Sequence, residues 1–157
     1  MSSSALTNQD RKHWAPIDSL VNWLAERIPE GAKVLEIGPG NQPFPRATMF
    51  VDGRDLIPGV PAEKKLHLDL TTEKLPFEDK SYDFVYCRHV LEDMYNPFPL
   101  LKEMERVAKA GYIETPSPVA ELARGIDGNS PPFRGYHHHS FIIWVHEGQL
   151  RFISKYP

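Results

Sequence analysis

Lys33-Val34-Leu35-Glu36-Ile37-Gly38-Pro39-Gly40-Asn41 is the stretch whose reading decides the fold. Val34, Leu35 and Ile37 predict a short buried strand, and the loop Gly38-Pro39-Gly40 that follows can turn tightly. A glycine has no β-carbon, so a ligand with nucleotide character can lie against the main chain there. An ordinary strand ending in a glycine turn has the same local signature, and the remainder of the chain has to separate the two.

Upstream, Ile17, Leu20, Val21, Leu24 and Ile28 form one stripe of an amphipathic helix, with Pro16 suited to its first turn and Pro29-Glu30-Gly31 ending it. Residues 1–12 are polar and read as a frayed start. Downstream, Ala47 to Asp52, Leu66 to Leu70, Tyr82 to Cys87 and Gly111 to Thr115 read as four further strands. Asn96-Pro97 opens a helix with Leu100, Leu101, Met104, Val107 and Ala108 on one face and charges on the other. Residues 119–124 predict a brief helix. Phe141 to Val145 and Leu150 to Ser154, around Glu147-Gly148, predict a hairpin. Acidic or polar residues recur at strand ends, and helices or loops separate the strands. The expected fold is therefore α/β and Rossmann-like: a mostly parallel open sheet with helices on both faces, finished by a C-terminal antiparallel hairpin.

The chain has 157 residues, of which 41% are apolar and 25% charged, and this suits a single domain spanning 1–157 with a real core. A net charge of -3 provides no basic footprint, so neither nucleic acid nor an acidic membrane is an expected partner, and a small molecule is favoured. The single cysteine, Cys87, forms no internal disulfide. Residues 1–10 lack the apolar core of a secretory signal, and no apolar run reaches membrane-spanning length, so a cytoplasmic location is expected.

Asp55 lies 19 residues beyond Glu36 and Asp52 lies 16 beyond it, so either can supply the two carboxylate oxygens that hold a ribose, Asp55 being preferred by spacing. Taken together, Val34 to Gly40, Gly53-Arg54-Asp55-Leu56, His67-Leu68-Asp69-Leu70, Leu75 to Asp83 and His89-Val90-Leu91-Glu92-Asp93 resemble the class I S-adenosylmethionine-dependent methyltransferases, from about Lys33 to Pro118. The resemblance implies that Gly38, Pro39 and Gly40 border the methionyl part of the cofactor and that Glu36 orders the loop or reaches the amino group. It further implies that Asp55 holds the ribose, Asp69 and Leu70 meet the adenine, and His89 sits beside the methionyl tail. An acidic lining independently suits a ligand with cationic sulfonium and ammonium groups.

The chain also departs from the family's pattern. Gln42 stands where many members have a third glycine, and Asp93 stands where a histidine often ends the motif after strand four. Pro43 occupies the last glycine of a dinucleotide fingerprint, which counts against an NAD(P)-dependent reductase. Cys87-Arg88-His89 replaces the Asn-Pro-Pro-Tyr type of sequence used on amide or base amino groups. A short C-terminal part is compatible with a compact or truncated member, and a non-catalytic module on the same scaffold is the other alternative. If the acceptor is a hydroxyl, His89, His137, His138 and His139 are candidates to take its proton. With 137–139 read as a strand, only His137 and His139 share a face, no third ligand is evident, and no metal is expected.

Overall fold

The computed structural model describes residues 17–53, 59–127 and 133–156. Helix α1 (Asp18–Arg27) precedes strand β1 (Val34–Ile37), and then come β2 (Met49–Asp52), a 3-10 turn at Ala62–Lys64, β3 (Lys65–His67) and β4 (Tyr82–Arg88). Helix α2 (Phe98–Val107), β5 (Ala108–Glu114), α3 (Pro118–Leu122), β6 (Phe141–His146) and β7 (Gln149–Ser154) complete the order. Strands β1 to β5 form one sheet in the order β3-β2-β1-β4-β5, every neighbouring pair parallel. The antiparallel hairpin β6-β7 is a separate two-stranded sheet, not an extension of the first. Pro16 and the stretch 1–12 lie outside the described residues.

Alternation along the strands divides the core between the two faces of the sheet. On one face, Leu35, Ile37, Val85 and Cys87 pack with Leu100, Met104 and Val107 of α2 and with Ile143 of the hairpin. On the other, Val34 and Tyr86 pack with Leu24 and Ile28 of α1. No α-helix lies in the described parts of the crossovers from β1 to β4. In its place the β1–β2 loop covers the sheet with Phe44, stacked on Tyr86 at 4.3 Å between centroids, and Tyr86 stacks in turn on Tyr112 at 5.5 Å.

The motif between β3 and β4 builds a clamp. Arg106 of α2 donates to the carbonyls of Leu75 and Phe77 and to the carboxylates of Asp79 and Glu103. Lys80 donates from Nζ to the carbonyls of Glu105 and Ala108, which satisfies acceptors at the end of α2 where the chain passes straight into β5. Asp83 accepts from the Lys33 amide and from Lys109 Nζ, tying the starts of β1, β4 and β5 together. No helix among the described residues is long and apolar enough to cross a membrane.

Met104 is 3% exposed on the buried face of α2, whereas Lys102 is solvated. Met104→Ala should lower the unfolding free energy by about 2–4 kcal/mol in a urea titration. Lys102→Ala should change it by less than about 0.5 kcal/mol.

Candidate functional site

The strand order reverses at β1: the chain moves outward through β2 and β3, then returns to β4 on the other side. In an open parallel sheet such a reversal parts the loops at the carboxyl ends of the two strands and leaves a crevice. Here the crevice is a cavity of about 270 Å³ lined by Gly38 to Gln42 after β1 and by Arg88 and His89 at the end of β4. Two larger cavities, of about 710 and 730 Å³, have no histidine in their linings. The first lies at the amino ends of β4 and β5, and the second lies against α2 and the hairpin.

Gly38 and Gly40 both adopt left-handed conformations, φ 66° and 55°, which a residue with a β-carbon enters only at a cost. At Gly38 a β-carbon would also overlap Val90 Cγ2, so the missing side chain there is matched by Val90 from the segment after β4. The Gly38 amide donates to the Val51 carbonyl at 2.8 Å, and the Gln42 amide closes the loop onto the Pro39 carbonyl at 3.2 Å, making the turn without a third glycine. Gln42 Oε1 is buried and has no hydrogen-bond partner among the described residues, in a residue that lines the cavity. A buried acceptor left open is costly in isolation and suits a cationic donor group on a ligand.

Glu36 is 2% exposed, and its Oε2 accepts from the Phe44 amide at 2.7 Å. Its carboxylate thus holds the loop from beneath. Burial pushes its pKa up to about 8 despite that bond and the nearby Arg88. Asp52 is buried at the end of β2, and Asp55 lies outside the described residues. The Asp69 carboxylate accepts from the amide and hydroxyl of Thr71 and from the hydroxyl of Thr72, and these bonds hold its pKa below the usual carboxylate range. Asp69 therefore shapes its own turn, beside half-buried Leu70.

His89 stands just after β4 at φ 53°, its amide bonded to the Glu114 carbonyl. Its Nδ1 lies 2.9 Å from Glu92 Oε1 and its Nε2 lies 3.5 Å from Glu114 Oε1, and Tyr112 donates to the other Glu114 oxygen. Burial opposes charge on the ring, but the two carboxylates outweigh it and raise the pKa to about 9. At neutral pH His89 is an imidazolium, a donor with no lone pair to accept a proton.

Residues 137–139 form a turn rather than a strand, so all three imidazoles reach one region. His137 Nδ1 pairs with Asp127, and the His137 amide donates to the same carboxylate. His139 is buried, with Nδ1 2.5 Å from Glu121 Oε1 and Nε2 3.5 Å from Asp93 Oδ1; His138 Nε2 lies 3.7 Å from the same Asp93 oxygen. Glu121, 1% exposed, also accepts from Lys155 Nζ at 2.7 Å, and although burial opposes its charge, these two partners keep its pKa low. His89, Asp93, Asp127, His138 and His139, with Pro116 and Tyr136, line a cavity of about 370 Å³ that meets the first at His89.

The carboxylates Glu92, Asp93, Glu114, Glu121 and Asp127 were not among the residues the sequence singled out as functional. The visible signal was Asp93, an acid where the resembling family often has a histidine. Glu121 and Asp127 lie 18 and 10 positions from the histidines they touch, and Glu114 comes to His89 from another strand, so only the folded chain brings them in; Glu92 is three positions from His89 on the same turn.

A family model described as "Methyltransferase domain" matches residues 35–113, half of the chain. A solved S-adenosylmethionine-dependent methyltransferase from Thermotoga maritima, described as a possible histamine N-methyltransferase, is 17% identical with a TM-score of 0.53, covering 87% of this chain and 82% of its own. An S-adenosylmethionine-dependent methyltransferase from Mesorhizobium loti is 18% identical with a TM-score of 0.49, covering 88% of this chain and 66% of its own. The Thermotoga likeness bears on the fold alone. No curated protein sequence matches.

The raised pKa of Glu36 has a definite sign. Its proton is held more tightly in the folded protein, so the associated stability is fully present below about pH 4.5 and is lost as pH rises towards 8. Glu36→Gln keeps an acceptor for the Phe44 amide and removes the ionisation. The variant should lose that decline and exceed the parent at pH 8, by on the order of a few kcal/mol in denaturant melts.

Proposed function

We propose that this chain, which belongs to the methyltransferase-domain family and uses S-adenosylmethionine as its cofactor, transfers a methyl group to a small-molecule acceptor by in-line displacement. The observation that carries this is the pairing of two cavities at one switch point, one beside the glycine loop and one beyond it, with His89 in the wall of both. The first fits the amino-acid end of the cofactor: its wall offers the open Gln42 Oε1 to an ammonium group and the Arg88 guanidinium to a carboxylate. Gly38, Pro39 and Gly40 would border that end, with Glu36 holding their loop in place. Asp55 would take the ribose hydroxyls, with Asp52 the alternative, and Asp69 and Leu70 would meet the adenine.

The bound cofactor supplies an already activated methyl group on a sulfonium. What remains for the protein is to hold the acceptor in line and to keep water out, and orientation alone contributes about 7–11 kcal/mol in favourable systems. The cavity of about 370 Å³ lies within the size range of small-molecule sites. His89, charged at neutral pH and flanked by Glu92 and Glu114, would donate a hydrogen bond there and fix position. Proton acceptance would fall to His139, whose Nδ1 proton is engaged by Glu121, so long as its Nε2 holds no other ligand; His137, the other candidate, is paired with Asp127 and does not line this cavity.

Calorimetry with S-adenosylhomocysteine and with NADH tests the assignment. Binding of the first and not the second is expected; binding of NADH alone, or of neither, overturns it. Asp55→Ala should weaken S-adenosylhomocysteine by roughly 1.5–3 kcal/mol, the scale of a hydrogen bond to a charged group. An unchanged affinity would transfer the ribose role to Asp52.

A further inference from the structure

We infer that Asp93, His138 and His139 form a binding site for one divalent transition-metal ion in the wall of the acceptor cavity. The donor atoms converge: one carboxylate oxygen and two imidazole nitrogens lie within 4.8 Å of one another. The separations, 3.5 Å from His139 Nε2 to Asp93 Oδ1 and 3.7 Å from His138 Nε2 to the same atom, are too long for hydrogen bonds. They are close to the spacing of about 3.4 Å between ligands that sit 2.0–2.1 Å from a tetrahedral zinc. On the Asp93 side a movement of a few tenths of an ångström would bring both imidazoles to that spacing, and rotation of exposed His138 would adjust its distance from His139.

The support behind the ligands is independent of those distances. His139 Nδ1 donates to Glu121, which fixes the tautomer and leaves the Nε2 lone pair for the ion; a carboxylate behind a ligating histidine is the usual outer layer of such sites. Glu121 is itself held by Lys155 and is so closely packed that a β-carbon on Gly135 would overlap it. The histidine is thus locked from behind while its other nitrogen faces the cavity. A second trio, Asp127, His137 and His138, also has convergent donors, but there His137 already pairs with Asp127 and both histidines are exposed, so the first set is the better built.

Two imidazoles with one carboxylate favour Zn²⁺, Co²⁺, Ni²⁺ or Fe²⁺ over Mg²⁺ and Ca²⁺, which prefer oxygen ligands. Three protein ligands leave at least one coordination position, and the cavity shared with His89 is where it opens. An oxygen or nitrogen of the acceptor occupies that position. Only this last assignment rests on the methyl-transfer reading; the metal site stands without it.

The test is a titration of the untagged protein with Co²⁺, followed by visible absorption, and with Zn²⁺ by calorimetry. One equivalent should bind, and excess Mg²⁺ should not displace it. Asp93→Asn and His138→Gln, both at exposed positions where folding is not at stake, should each weaken binding at least tenfold, Glu121→Gln should weaken it about 10–100-fold, and Asp127→Asn should leave it within twofold. Asp93→Asn should change the affinity for S-adenosylhomocysteine far less than it changes the affinity for the metal, because Asp93 does not line the first cavity. Absence of binding below about 1 mM, or binding that survives both Asp93→Asn and His138→Gln, overturns the site. Metal binding in a protein that fails to bind S-adenosylhomocysteine would uphold the site and sink the methyl-transfer reading instead.

Discussion

The structure depends on one topological constraint: β1 has β2 on one side and β4 on the other, both parallel to it. A chain cannot make two successive parallel neighbours on opposite sides without sending one connection away from the other at the strands' carboxyl ends. The gap that results needs no side chain to create it. What the side chains decide is how the gap is walled, and here β1 delivers the glycine loop to one wall while β4 delivers Arg88 and His89 to the other. The left-handed backbone at His89 then turns the chain so that Val90 meets Gly38 and Leu91 enters the core. Loop and histidine are consequently fixed relative to each other by packing as well as by the sheet.

Much of the remaining motif set serves that same geometry from a distance. The Leu75-to-Asp83 stretch carries acids that invite a binding interpretation, but its groups are engaged by Arg106, Lys80's own contacts and Lys109. Those bonds set where β4 begins and how α2 meets β5. Glu36 acts in the same sense at the other wall, since its bond to the Phe44 amide holds the loop and places Phe44 on Tyr86. A short aromatic stack thereby does the work of the crossover helix that the described β1–β2 connection lacks.

The fold was legible because its signals are local and periodic: each strand and helix announced itself within about ten residues, as the apolar runs at Val34, Tyr82 and Phe141 show. Boundaries were less so. The continuation of α2 directly into β5 at Ala108 depends on Lys80, nearly thirty positions away, and no window of sequence contains both. The same holds for the site. Gly38, Gly40 and His89 carry motif signals, whereas Glu121 acquires its meaning only when His139 and Lys155 arrive from elsewhere in the chain. The three histidines misled for a different reason: read as a strand they divide between two faces, but Tyr136, Gly135 at φ 60° and the bonds around Glu121 make the segment a turn. A turn removes the alternation on which the exclusion of a metal relied.

The two cavities are linked electrostatically as well as by a shared wall. His89 is held in its charged form by Glu92 and Glu114, so the boundary between the cavities carries a cation compensated by two acids. Arg88 in the wall of the first cavity balances the second of those acids, so a cationic ligand brought to the glycine loop meets two carboxylates and two cations, and its arrival strengthens the demand on the same carboxylates. On the far side Asp93 faces His138 and His139. Charge placed on either side is therefore sensed by the other through a few ångströms of partly buried protein, where screening by salt is weak. Because like charges repel, a cation on one side weakens the hold on a second cation on the other, and the carboxylates between them, already engaged by His89, offset that repulsion only in part.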